Sequence, residues 1–130
     1  MTQPTKDLIP SFNAAFGRGD LGAMQPFLAD GIVWHLAGTG PLAGDYQGVA
    51  QVMAMFGKLR ELSGGTIQHE LHDVLASNDH VVVLATLRAQ RAGKQLQDNI
   101  VHVMHGDGSG RATEVWTSTS DPAAAARFWS

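Results

Sequence analysis

The chain has 130 residues and no cysteine, enough length for one domain to bury a core, and a composition that excludes thiolate chemistry, disulfides and cysteine-ligated zinc. Hydrophobic residues make up 44% and charged residues 16%, a balance that leaves much of the surface uncharged and fits a homodimer. The formal charge of -3, from 9 basic against 12 acidic residues in no long runs, leaves no electrostatic footprint for nucleic acid or an anionic membrane.

The first residues, MTQPTKDLIP, carry no apolar signal-peptide core, and no segment approaches the roughly 20 apolar residues of a membrane span. The expected location is the cytoplasm. Leu8, Phe12, Ala15 and Phe16 recur at helical spacing behind a potential cap at Asp7, with Pro10 in the first turn. Gly17 and Gly19 end that helix. Asp20 caps a second one bearing Leu21, Met24 and Leu28, weakened by Gly22 and Pro26, and Asp30-Gly31 then turns the chain. Ile32 to Leu36 reads as a strand. The loop AGTGPLAGDYQG that follows is too rich in glycine and proline for regular structure, and Tyr46 gives it an aromatic ring with a polar tip.

From Gly48, the positions Val49, Val52, Met53, Phe56 and Leu59 define a third helix, stopped by Ser63, Gly64 and Gly65. Strands are expected at Thr66 to Ala76, His80 to Arg91, Lys94 to Met104 and Arg111 to Ser118, with links short enough to require antiparallel neighbours. Three helices and one early strand, then a four-stranded meander, give an α+β fold whose sheet bends around helices on its inner face. No repeat or linker divides it. The tail DPAAAARFWS is either unstructured or a helical turn laying Phe128 and Trp129 on the body or a partner.

The stretch Gln97 to Met104 is the most informative for chemistry. Strand alternation places Asp98, Ile100 and His102 on one face and Asn99, Val101 and Val103 on the other. Two ionisable groups among apolar ones suggest acid-base chemistry, because an apolar wall lowers an imidazole pKa and raises that of a carboxylic acid. Four residues separate them by about 13 Å, so they address opposite ends of one ligand rather than each other. The alternative is that Asp98 lies at the wet start of the strand and His102 is a hydrogen-bonded core histidine. Trp34 and His35 must point to opposite faces, so only one lines a pocket. His69 and Asp73 share a strand face opposite His72, and no histidine pair has metal-ligand spacing. Neither metal nor cofactor is expected.

The passage GDLGAMQPFLADGIVWHLAG, the GDYQG loop leading into a helix, the HDVLASNDHVVV hairpin and the pair IVHVM then GRATEVW resemble, in this order, the nuclear transport factor 2-like superfamily. The likeness covers nearly all of residues 1–130 and is nearest to its SnoaL-like and ketosteroid-isomerase-like members. It implies a cone-shaped α+β barrel, with three N-terminal helices packed into a strongly curved, mixed, mostly antiparallel sheet around a deep apolar pocket. It also implies a homodimer joined through the outer sheet face. The fold hosts isomerases, polyketide cyclases, dehydratases, hydrolases and proteins without catalysis, so it does not fix the reaction.

Carried over by position, His102 falls where the isomerases place the protonated aspartic acid of their oxyanion hole, and Phe12 where they place its tyrosine partner. Phenylalanine cannot donate a hydrogen bond. Their base falls on Leu36, or on His35 if the strand slips by one residue. The resemblance thus argues against steroid isomerisation by that mechanism, and no arginine beside Asp98 completes the epoxide-hydrolase pattern. The expected activity is cofactor-independent acid-base chemistry on a small hydrophobic molecule, with His102, Asp98 and His35 as catalytic candidates. Phe12, Phe16, Trp34, Tyr46 and Phe56 are expected to shape the pocket, with Leu36, Ile100 and Trp116 as further lining. The alternative is a dimer that binds a ligand, or is purely structural, without turnover.

Overall fold

The computed structural model describes residues 4–130. Helix α1 (Pro4–Arg18) begins ahead of Asp7, so Pro10 lies inside the helix rather than in its first turn. The missing N–H of a proline there forfeits one backbone bond near the helix start, and burial of Ile9, Ala15 and Phe16 on the inner side offsets it. Asp20 caps α2 (Leu21–Met24) by accepting from the Ala23 N–H at 3.2 Å. Pro26 then tightens Gln25–Phe27 into a 3-10 turn.

Strand β1 (Leu28–Leu36) starts earlier than Ile32, and Asp30-Gly31 is not the expected turn but an irregularity where the register with the neighbouring strand shifts. The glycine-rich loop is not wholly irregular either. Its last residues form β2 (Gly44–Gln47), a short antiparallel strand that pairs with β1 and covers its free edge. Helix α3 (Gly48–Leu62) buries Val52, Met55 and Phe56.

The meander follows as β3 (Gln68–Ala76), β4 (Val81–Arg91), β5 (Lys94–Gly106) and β6 (Ala112–Thr119). The β4–β5 turn is two residues, Ala92 at φ 49 and Gly93 at φ 79, the left-handed pair that matches the natural twist of a hairpin. The tail forms a helix, α4 (Pro122–Trp129), capped by Asp121. It docks on its own chain: Phe128 and Trp129 are buried, Arg91 donates to the carbonyls of Phe128 and Ser130, and Lys94 donates to that of Arg127. The described residues therefore hold the three expected N-terminal helices and a fourth formed by the tail.

The sheet order is β2-β1-β6-β5-β4-β3, parallel between β1 and β6 and antiparallel elsewhere. This is an α+β fold with an open, cone-like curved sheet. Its concave face receives α1 and α3. The convex face leaves Leu75, Leu84, Val101 and Trp116 exposed. One bulge matters for function: the β3–β4 register slips between Leu71 and Asp73. An extra residue reverses the alternation after Leu71. His69 therefore faces inward, while His72 and Asp73 both face outward, correcting the expectation that His69 and Asp73 share a face.

Candidate functional site

Between the concave face and the helices lies a cavity of about 140 Å³. Its walls include Phe12 and Phe16 from α1, Trp34 and Leu36 from β1, Phe56 from α3, and Ile100 and His102 from β5. The segment Ala37 to Ala43 and α4 close one end. They meet at Gly40, where a Cβ would lie 2.9 Å from the Ala126 Cα, so the close approach needs glycine.

At the polar end His102 is not alone. Its Nε2 lies 2.9 Å from Nε2 of His69, and its Nδ1 lies 2.7 Å from the Thr117 hydroxyl. That hydroxyl accepts from the indole N–H of Trp34 at 2.9 Å, and Nδ1 of His69 lies 2.6 Å from Oδ1 of Asn13. Proton accounting orients the chain. Oδ1 of Asn13 can only accept, so Nδ1 of His69 donates to it. In neutral rings Nε2 of His69 then accepts from Nε2–H of His102, while the Thr117 hydroxyl, itself accepting from the indole, donates to Nδ1 of His102. Every donor in this order finds an acceptor with both imidazoles neutral.

The surroundings hold them neutral. Burial lowers the His102 pKa to about 3, with the neighbouring His69 adding to the effect, and burial lowers that of His69 to about 4. Both rings keep some accessible surface, and both line the cavity. Edge-on aromatic contacts fix their planes: Phe16 against His69 and Trp34 against His102.

Asp98 also lines the cavity, four residues along β5, but its carboxylate is engaged by the turn into α4. It accepts from the Thr119 hydroxyl, from the Ser120 N–H at 3.1 Å and from the Ser120 hydroxyl at 2.8 Å. Three donors on one buried side chain describe a clasp between β5 and the β6–α4 junction. The expected assisting role meets a group already satisfied.

Three other expected site residues lie elsewhere. Trp34 faces the cavity, so His35 faces outward. There it bridges Asp45 on β2 and Glu114 on β6, each at 2.7 Å, and stacks on Trp116. Those hydrogen bonds, Glu114 first and then Asp45, raise its pKa. Trp116 is a partly exposed residue of the convex face rather than a cavity wall. Tyr46 stands just outside the cavity, its hydroxyl donating to the Leu42 carbonyl and bracing the covering segment. Strand alternation decides this for His35 and Trp116, whereas Tyr46, the register partner of Trp34, is held off the cavity by its place on the edge strand and its bond to Leu42.

Sequence reasoning missed His69, Asn13 and Thr117. Alternation does place His69 and Leu71 on one face, and Thr117 opposite His102, but nothing local brings His69 to His102. By register His69 aligns with Leu87 and Asp98, whereas His102 aligns with Val83 and Thr117. Among the described residues no group of three or more His, Asp or Glu is placed to hold a metal.

A curved α+β sheet whose concave face and helices enclose a cavity defines a nuclear transport factor 2-like domain. More narrowly, the model of the SnoaL-like domain matches residues 10–129, and the chain belongs to that family. It is 36% identical over 124 residues to an uncharacterized protein of Mycobacterium tuberculosis, covering 95% of this chain and 94% of that one. Among solved structures it is similar to Bal32a from a soil-derived mobile gene cassette, at 28% identity and a TM-score of 0.93, covering 98% of this chain and 97% of that one. An NTF2-like protein from Burkholderia xenovorans aligns at 27% identity and a TM-score of 0.79, covering 100% and 98%. No helix among the described residues is long and apolar enough to cross a membrane.

Proposed function

We propose that this SnoaL-like domain binds a small hydrophobic molecule in its cavity and performs acid-base chemistry on it with the His69–His102 pair, without a cofactor. The observation that carries this reading is a pair of imidazoles in contact, Nε2 to Nε2 at 2.9 Å, on an apolar cavity wall. A neutral ring near pH 7 offers both an N–H donor and a lone pair, and hydrogen bonds to each are stronger in an apolar wall than in water. His102 donates a hydrogen bond through Nε2–H to the oxygen on which charge develops, and His69 takes up the transferred proton at its Nε2 lone pair. Thr117 and Trp34 hold the first ring, and Asn13 the second. The reaction class is proton transfer of the isomerase, cyclase or dehydratase kind.

A second reading has its own support: all four ring nitrogens already have partners, and Phe12 stands where the isomerases carry a donor. On that reading the cavity binds without turnover. A thermal-shift screen of small cyclic ketones, alcohols and phenols, followed by turnover assays on stabilising compounds, separates the two. The catalytic reading expects turnover that falls by about 10² to 10⁴ in His102→Phe while the protein stays folded. Binding with no turnover assigns the second. The domain is further proposed to act as a homodimer through the convex face, where Leu75, Leu84, Val101 and Trp116 are exposed.

A further inference from the structure

From the His69–His102 contact we infer the ligand's recognised group: a neutral hydroxyl, on a small ring, whose single oxygen inserts between the two Nε2 atoms. This rests on the cavity's being a ligand site. It adds which functional group the site selects and why.

Neither ring of the pair has an open nitrogen, so a ligand reaching it must take over an existing hydrogen bond. The His69–His102 bond is the one it can take. The other partners, Thr117 and Asn13, are the chain's own residues and fix the proton positions on each Nδ1. The bond between the rings consists of one N–H, from His102, and one lone pair, on His69. Breaking it frees a donor and an acceptor side by side. Only a group that accepts and donates through one atom satisfies both, and a hydroxyl does so: its oxygen accepts from His102 and its proton goes to Nε2 of His69. The tautomers and the polarity of the whole chain survive unchanged. A ketone or ether oxygen would accept from His102 and leave the His69 lone pair unpaired beside an apolar wall, which is costly.

Insertion requires the two nitrogens to part from 2.9 Å to roughly 4.5 Å, the span of two bonds of about 2.8 Å meeting at a bent oxygen. The rings stand on strands separated by β4 and face a cavity, so space lies on the side toward which they would part.

Charge narrows the class further. The described lining contains no arginine or lysine, and Asp98 is its acidic member. A carboxylate ligand would be buried with no counter-charge, between two rings that resist protonation. Size sets the skeleton: about 140 Å³ is close to a volume of roughly 150 Å³ known to hold benzene in an apolar protein cavity. A phenol or a cyclic alcohol or enol of one ring fits, and a fused polycycle does not unless the covering segment and α4 move.

The test uses phenol, toluene, anisole and benzoate with the intact protein at pH 7.5. Affinity is measured by calorimetry, and the histidine ring nitrogens are followed by ¹⁵N NMR. Phenol is expected to bind at least about tenfold more tightly than toluene or anisole, to shift Nε2 of both His69 and His102 more than Nδ1, and to lose that advantage in the double variant His69→Phe/His102→Phe. Benzoate is expected not to bind. Toluene or anisole matching phenol would overturn the hydroxyl inference while leaving the cavity as a ligand site. Binding by none of the four, with no ring nitrogen moving, would overturn both.

Discussion

A double-mutant cycle on His69 and His102 tests the pairing most directly. Replacing His102 with Phe removes the 2.9 Å bond to His69 and the 2.7 Å bond to Thr117. The adjacent cavity absorbs the slightly larger ring. The lost bond contributes about 1 kcal/mol net, and the stranded Nε2 of His69 costs a further 1 to 3 kcal/mol, so the single variant should lose about 2 to 4 kcal/mol. His69→Phe should lose a similar amount, because it strands the Nε2–H of His102, while the half-buried Asn13 can turn to water. The double variant strands neither ring nitrogen. It should therefore be more stable than the summed singles by about 3 kcal/mol or more, well above the roughly 0.5 kcal/mol within which independent sites add. Urea unfolding of the four proteins at pH 7.5 measures the coupling. Strict additivity would refute the pairing and the proton order built on it.

Acid titration should expose the neutral pair. Unfolded histidines take protons near pH 6.5, whereas the folded pair does so only near 4 and 3, so its stability is complete above pH 6.5 and is lost as pH falls. Between pH 7 and 5 the loss should be about 3 to 4 kcal/mol, and an equal loss in the double variant would contradict it. His35 has the opposite sign: its raised pKa contributes stability below pH 6.5 that fades as pH rises through the folded value. Asp98→Ala should lose about 2 to 4 kcal/mol in urea unfolding by stranding the donors of Thr119 and Ser120, and any turnover should persist while the protein is folded. Gly40→Ala should push α4 from the covering segment, costing about 1 to 3 kcal/mol and speeding hydrogen exchange at Ala125 and Ala126. Sedimentation at micromolar concentration should give a dimer that Trp116→Lys dissociates.

The legible parts of the sequence were those with local causes. Helical spacing from Val49 to Leu59, the turn at Ala92-Gly93 and the alternation around His102 depend on neighbours in the chain, and the structure reproduces them. The misplacements arose where a distant element decides. β1 reaches back past Asp30-Gly31 because Leu28 pairs with Ala112 of β6 on the far side of that irregularity, and β2 forms in a glycine-rich loop because β1 offers an edge. His69 was the largest omission. Period-two alternation carries no record of a bulge at His72, nor of sheet curvature, and both are needed to see where that ring goes.

On a flat sheet, His69 and His102 would stand about 13 Å apart along the strands and about 9.5 Å across them. Their ring nitrogens nevertheless touch. Bending a surface gathers what projects from its hollow side and spreads what projects from its outer side. The convex contacts obey this: His35 with Asp45, Glu114 and Trp116, Glu70 with Arg88, and Thr86 with His72 and Asn99 all join strands that are immediate neighbours. Only inside do strands one removed from each other converge. The lens-like hollow thus acts as an assembler of side chains that linear distance keeps apart, and a mutation that flattens it would scatter the inner pair while leaving the outer contacts in place.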